Sequence, residues 1–242
     1  MVRATRSINF MIKDKEIVHC KPTATVEDYL AAIYILERDK EAVIGARLAE
    51  LLQVSAPTVT LTLKRMSHSG WIISDEKKEI HLTDQGCELA SSVIRRHMLT
   101  EWMLTRMLHM SWSQVHAEAD KIEHTLSLDV EERLRSQMNN PQTCPHGNPL
   151  PGFEGIAADW LPLTEIPLGT HVIIRRIHEH AEENPDLMSF LETHNILPGV
   201  QVIVSEKLDF NHTITLNCTG ELLVIGFSIA EHIFVELIET EE

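Results

Sequence analysis

Ser55 to Leu82 reads SAPTVTLTLKRMSHSGWIISDEKKEIHL. Ser55 caps a helix, and Pro57 falls in its first turn, where a missing N–H costs nothing. Val59, Leu63 and Met66 recur four and three residues apart and make one apolar face. Thr58, Thr60, Thr62, Lys64 and Arg65 make the other. Gly70 ends the helix. Trp71-Ile72-Ile73 and Glu79-Ile80-His81-Leu82 then flank the charged turn Asp75-Glu76-Lys77-Lys78, which predicts a small hairpin. Working backwards, residues 44–52 make a short helix with Leu48, Leu51 and Leu52 on its apolar side. Another helix starts at Thr25, with Thr25 as N-cap and Asp28 in the first turn, and carries Tyr29, Leu30, Ile33, Ile35 and Leu36 inward. Three short helices followed by a hairpin make a winged helix-turn-helix.

Working forwards, Thr83 caps a long helix to about His109, and Ser111-Trp112-Ser113 starts a further one to about Gln137. Residues 139–163, rich in Asn, Pro and Gly, read as a linker. Short apolar strands follow at His171–Ile177, Val200–Val204, Thr213–Leu216, Leu222–Ile225 and His232–Leu237, with a helical insert near Pro185–His194. The expected fold is therefore mainly α with a small β domain. Its parts are an N-terminal arm (1–24), a winged helix-turn-helix (25–96), a helical domain with its linker (97–163) and a five-stranded β-barrel (164–242).

Of 242 residues, 21 are Lys or Arg and 36 are Asp or Glu, a net charge of −15. The distribution matters more than the sum. Residues 1–96 balance at +1, residues 97–163 at −5 and residues 164–242 at −11. A near-neutral head can bind a polyanion if its cations share a face, and a divalent cation would offset acids in the middle. No apolar run approaches the roughly 20 residues that span a bilayer. Met1 to Lys21 lacks the apolar core of a secretory signal. The four cysteines, Cys20, Cys87, Cys144 and Cys218, are far apart. A disulfide framework is not expected, and a reducing cytoplasm is.

The chemistry concentrates in His116-Ala-Glu-Ala-Asp-Lys-Ile-Glu-His124. On a continuous helix Asp120, Glu123 and His124 share a face, with His116 one turn before. The preceding helix offers His97 and Glu101, also four apart. Carboxylates and imidazoles converging from two helices suit a divalent metal. Cys144 and His146, alone in a proline-rich linker, are weak evidence for one. The apolar residues after Ser111, among them Trp112, Val115, Ile122 and Leu126, exceed what one small domain needs and predict a two-fold homodimer.

From Thr25 onward the chain resembles the diphtheria-toxin-repressor family, which includes iron-dependent repressors and manganese transport regulators. The motifs that carry this are Thr25-Val-Glu-Asp-Tyr-Leu, Ala46-Arg-Leu-Ala-Glu-Leu-Leu, Ser55-Ala-Pro-Thr-Val-Thr, Arg95-Arg-His-Met-Leu, Val115-His-Ala-Glu-Ala-Asp-Lys-Ile-Glu-His and Cys144-Pro-His-Gly-Asn-Pro-Leu-Pro-Gly. The resemblance implies a non-enzymatic repressor that binds palindromic operator DNA as a homodimer, with a C-terminal SH3-like (FeoA-type) barrel. It implies a primary metal site of Asp28, Asp120, Glu123 and His124. A second site would use His97, Glu101, His116 and a barrel group near Glu183–Asp186, for which Glu183 is chosen. Iron-type members carry Met and Cys where Asp28 and Asp120 stand. Two carboxylates there favour Mn(II), with Fe(II) close behind. Manganese regulators often carry Glu where Ala31 stands, so two separated sites are expected here.

In such a head the second helix of the motif, Ser55–Ser69, enters the major groove. Ser55, Thr58, Thr60 and Thr62 would donate to phosphates, while Lys64 and Arg65 supply charge. Pro57 and Leu61 would touch thymine methyls. Thr25 and Arg47 would meet the backbone. Leu61 stands where relatives often have Gln, so base readout should differ. The alternatives are an iron-responsive repressor of the same family, a helical carboxylate metalloenzyme, or a metal-buffering protein that docks partners on its acidic barrel.

Overall fold

The computed structural model describes residues 21–218 and 220–238, so the arm expected over residues 1–24 lies, up to residue 20, outside the described residues. The head is α1 (Ala24–Arg38), α2 (Gly45–Leu51), α3 (Ala56–His68) and the hairpin β1 (Ile72–Ser74) and β2 (Ile80–Leu82). Tyr29, Leu30, Ile33 and Leu36 of α1 pack on Leu48 of α2, Val59 and Met66 of α3, and Trp71, Ile72 and Ile80 of the wing. Ser55 caps α3 by accepting from the Thr58 amide. Thr62, expected on the outer face of α3, is buried with Val59 and Met66, because positions 59, 62 and 66 fall on one stripe. α1 begins at Ala24, not at Thr25. The cap is Thr23, whose carbonyl accepts from the Val26 and Glu27 amides. Glu27 lies one turn before Leu30 on the inward face of α1 and is only 5% exposed.

Thr83 caps α4 (Asp84–Leu108), a 25-residue helix about 37 Å long that His109 ends in the left-handed region. The single helix expected from Ser111 to Gln137 is instead three pieces: α5 (Val115–Ala119), a 3-10 turn (Glu123–Thr125) and α6 (Leu128–Gln137). Ser127 starts α6 afresh by accepting from the Val130 amide. Asp120, Glu123 and His124 therefore do not lie on one helical face.

Residues 139–163 do not form a free linker either. Every residue from Cys144 to Pro151 is buried. The Cys144 amide donates to the Asn148 carbonyl, and the His146 carbonyl accepts from the Ile177 amide, so the segment is wedged against the C-terminal domain.

That domain is one antiparallel sheet of β3 (Leu161–Pro162), β4 (His171–Ile177), β5 (Gln201–Leu208), β6 (Thr213–Cys218), β7 (Glu221–Gly226) and β8 (Ile233–Leu237), in the order β3-β8-β4-β5-β6-β7. All five expected strands are present, and β3 is an addition of two residues. Bulges between Ile174 and Arg176 and between Val204 and Glu206 curl the sheet around a core of Ile174, Val204, Ile214, Leu216, Ile233 and Val235. The short helices α7 (Glu179–Glu182), α8 (Pro185–Thr193) and α9 (Phe227–Ala230) complete it. The expected insert at Pro185–His194 is α8, and α7 precedes it.

Gly147 fixes the wedge. Its φ is +91°, and a Cβ there would lie 1.9 Å from the Arg175 carbonyl oxygen, whereas Gly152, at φ +95°, has open space. Gly152→Ala should cost about 1 kcal/mol from its backbone alone, and Gly147→Ala about 3 kcal/mol or more, because the main chain must move. Chemical denaturation of the two variants checks the difference; equal costs would show that the wedge is not tightly packed.

Candidate metal centre

The contact between α1 and α4 sets the site. Glu27 of α1 accepts from Arg96 of α4 at 2.9 Å through one oxygen and from His124 Nδ1 at 2.7 Å through the other. A carboxylate on one ring nitrogen fixes the tautomer and aims the other. His124 Nε2 accordingly faces Asp28 at 3.1 Å and Glu123 at 3.5 Å. Asp28, Glu123 and His124 place one donor atom each within 4.8 Å of one another. Burial raises the Asp28 carboxyl above its usual range, and the Glu123 and Asp120 charges add to this against the pull of His124. A cation would relieve that crowding.

A second cluster lies deeper. His97 Nδ1 is 2.5 Å from Glu123 Oε2, and its Nε2 is 3.2 Å from Glu101 Oε1 and 3.0 Å from His116 Nδ1. His116 Nδ1 is in turn 2.8 Å from Glu182 Oε2 on α7. His97, Glu101, His116 and Glu182 form one group of potential ligands, and Glu101, Cys144 and His146 form an adjoining one. His146 Nε2 donates to the Trp112 carbonyl, leaving Nδ1 3.2 Å from Glu101 and 3.4 Å from Glu182. Two buried atoms of this cluster, Glu101 Oε2 and His116 Nε2, have no hydrogen-bond partner. An oxygen acceptor and an imidazole nitrogen left without partners among acids are what a divalent cation would satisfy.

Burial opposes the charged form of each imidazole here, yet the carboxylates prevail. Glu101, with Asp120 and Glu123, raises His97 well above its usual value. Glu101 and Glu182 do the same for His116. Glu182 and Glu101 raise His146 to about 9. Glu101 itself is held well below the carboxylate range by His146 and His97, against its burial. Without metal, protons balance these acids.

The structure brings together most of the residues expected from sequence but divides them differently. Asp28, Glu123 and His124 meet. Asp120 does not join that trio; its carboxylate sits 3.2 Å from His97 Nδ1, because the break after α5 turns it toward the deeper cluster. The barrel residue in that cluster is Glu182. Glu183 approaches His116 Nε2 only to 3.6 Å with its side chain 66% exposed, since α7 points Glu182 inward. Sequence reasoning missed Glu27 and passed over Cys144 and His146. Their signals were a second acid beside Asp28 and a Cys-x-His pair braced by Pro145 and Gly147. One cleft of about 570 Å³ is lined by Asp28, His97, His116, Asp120, Glu123 and His124.

On α3, Ser55, Pro57, Thr58, Thr60, Leu61, Lys64 and Arg65 are all exposed, and Leu61 is 63% so. Thr25 is exposed as well. Arg47 is not free, being paired with Glu41 and Glu50. Trp112 and Val115, expected at a dimer face, are used within the chain: Trp112 packs on the barrel core and on His146, and Val115 is fully buried. The large apolar side chains left exposed on the helical domain are Met107, Leu108, Leu128 and Val130.

Three family models match the chain: an iron-dependent repressor N-terminal DNA-binding domain over residues 21–80, an iron-dependent repressor metal-binding and dimerisation domain over residues 83–152, and a FeoA domain over residues 161–237. The iron-dependent repressor of Mycobacterium tuberculosis is 38% identical over 191 residues, which span 74% of this chain and 83% of that one. The diphtheria toxin repressor of Corynebacterium diphtheriae is 32% identical over 221 residues, 88% and 96% of the two chains. Among solved structures, a manganese-dependent transcriptional repressor in complex with manganese superposes with a TM-score of 0.78 at 26% identity, over 88% and 100% of the two chains. ScaR with bound Zn2+ gives 0.74 at 32% identity, over 90% and 100%.

The raised imidazoles make a testable demand. The surrounding carboxylates favour the protonated forms of His97, His116 and His146, and a metal ligand must be neutral. Metal binding should therefore release protons at pH 7, and affinity should climb as pH rises toward about 9, the value for His146. Conversely, the stability these protons give the metal-free chain is complete below the ordinary histidine value of 6.5 and is lost as pH passes about 9. Titration calorimetry in buffers of different ionisation enthalpy counts the protons; none released would mean that the cluster is already neutral.

Proposed function

The chain belongs to the iron-dependent repressor family, and on that premise we propose that it is a metal-dependent repressor of metal-homeostasis genes, activated by Mn(II) and less strongly by Fe(II). It binds operator DNA as a homodimer and acts in the cytoplasm. It is not an enzyme. Among the described residues no helix is long and apolar enough to cross a membrane.

The observation that carries this reading is the meeting of Asp28, on the DNA-binding head, with Glu123 and His124, on the helical domain. A divalent cation bound there would supply the positive charge that lets two acids and an imidazole from separate domains stay together. Asp28 then ties α1 to the helical domain, and His124, held by Glu27, keeps Nε2 aimed at the site. The head's orientation fixes where each α3 points. In a dimer that sets the spacing of the two recognition helices against half-sites. Chains with free heads sample many spacings, and selecting one raises the apparent affinity by the fraction gained. On α3, Lys64 and Arg65 supply phosphate contacts, Ser55, Thr58 and Thr60 position the helix, and Leu61 offers an apolar contact for thymine methyls.

Metal choice follows from donor chemistry. Asp28, Glu123 and His124 give two oxygens and one nitrogen, a hard set that accepts Mn(II) readily. The deeper cluster adds His97, Glu101, His116 and Glu182, with Cys144 and His146 beside them. Its thiol favours the iron-responsive reading, as does the 38% identity to an iron-dependent repressor.

Asp28→Ala should raise the Mn(II) needed for operator retention in a gel-shift by about 100-fold while leaving the metal-free thermal midpoint in place, since the side chain is half-exposed. Retention at wild-type metal concentration would place the regulatory metal elsewhere. The dimer is proposed to bury Met107, Leu108, Leu128 and Val130. Leu128→Glu should turn the dimer into a monomer by light scattering at micromolar concentration, and an unchanged mass would remove this face from the interface.

A further inference from the structure

The barrel meets the DNA-binding head through charge. Arg38, the last residue of α1, donates from Nη1 to Glu179 Oε1 at 2.7 Å and from Nη2 to Glu179 Oε2 at 2.9 Å. Glu179 opens α7 of the barrel. Arg176, at the bulge of β4, reaches the same carboxylate at 2.9 Å and Asp39, the residue after α1, at 3.1 Å. His178 Nε2 lies 2.9 Å from that aspartate. The guanidinium side chains are only 8% and 5% exposed. Two cations and two anions thus balance in a buried cluster, and the Arg38–Glu179 pair has the two-pronged geometry that resists rotation. Both acids are held well below the carboxylate range. Burial opposes this, but the Arg38 and Arg176 charges overcome it at Glu179, and His178 and Arg38 overcome it at Asp39.

This cluster is continuous with the deeper metal centre. Arg176 Nε donates to Asn148 Oδ1, and Asn148 Nδ2 donates to Glu182 Oε1. Glu182 in turn faces His116. Glu179 and Glu182 sit one turn apart on α7. Glu179 lines the metal cleft too, but both its oxygens are taken by arginines, so its position serves the contact with the head. α1 is therefore held at two places. Glu27 and Asp28 engage the helical domain, and Arg38, about 15 Å further along the axis, engages the barrel. A rod fixed at one point pivots, whereas a rod fixed at two does not.

We propose that Arg38 is a positioning residue for DNA binding: it clamps the far end of α1 to Glu179, so that the deeper metal centre acts on head orientation through Glu182, Asn148 and Arg176. The proposal rests on the repressor reading above. The test uses the full chain, Arg38→Glu, and the conservative variant Arg38→Lys, which keeps the charge and leaves Glu179 to Arg176. Two quantities are read: amide hydrogen exchange over residues 36–41 and 178–183 without metal, and the Mn(II) concentration for half-maximal operator binding. Arg38→Glu should speed exchange in both segments and raise the Mn(II) requirement about ten-fold, and Arg38→Lys should fall between it and the wild type in both. Unchanged exchange in Arg38→Glu would overturn the clamp. Faster exchange with an unchanged Mn(II) requirement, or an Arg38→Lys variant as impaired as Arg38→Glu in both, would overturn the positioning role. A wild-type chain that fails to bind operator with Mn(II) would overturn the repressor reading instead, leaving exchange to decide the clamp.

Discussion

Glu27 is a buried carboxylate at the crossing of α1 and α4, and the remaining geometry of the site depends on it. An acid in that position is costly unless both oxygens are paired. Arg96 takes one and His124 Nδ1 takes the other. The consequence is directional. With Nδ1 committed, His124 can present only Nε2, and it presents it to Asp28 and Glu123. Removing the acid would free the ring to rotate and would strand Arg96, whose Nε already lacks a partner. The contact that joins head and helical domain is thus the same contact that prepares a metal ligand.

The deeper cluster works by a different balance. Glu101 and Glu182 are buried among His97, His116 and His146, and protons on the imidazoles neutralise them. Protonated imidazoles and a bound cation are alternative solutions to one electrostatic problem, so metal occupancy and pH are linked there. The wedge of residues 144–151 closes the cluster, with Trp112 tilted against His146 and Gly147 pressed on β4. The barrel is therefore part of the site. It contributes Glu182 to the cluster and Glu179 to the head, from the two ends of a four-residue helix.

Much of the fold could be read from the sequence because it rests on short-range rules. Ser55 and Thr83 cap α3 and α4 because hydroxyls accept from free first-turn amides. Val59 and Met66 face inward because helical spacing puts them on one stripe, and the wing follows from two β-prone runs about a charged turn. The same rules failed where tertiary partners overrode them. A helix from Ser111 to Gln137 satisfies local spacing, but Asp120 and Glu123 meet His97 on α4 while His124 meets Glu27 and Asp28 on α1, and the chain breaks to reach them. Composition marked residues 139–163 as a linker, although proline and glycine there serve a tight wedge.

The sequence by itself determined the kind of chemistry present: acids and histidines at helical spacing beside a winged head, with a family's motifs around them. Side-chain type and local period are enough for that, since both are properties of a few neighbouring residues. Which residues share a centre was decided only by the tertiary structure. Asp120 turned to His97, Glu182 came closer to His116 than Glu183 did, and Cys144 and His146 entered a cluster to which their local sequence barely pointed. Convergence of donors from α1, α4, the wedge and α7 depends on how those elements pack. A difference of one residue on α7 reverses which carboxylate faces inward, and no local pattern records that direction.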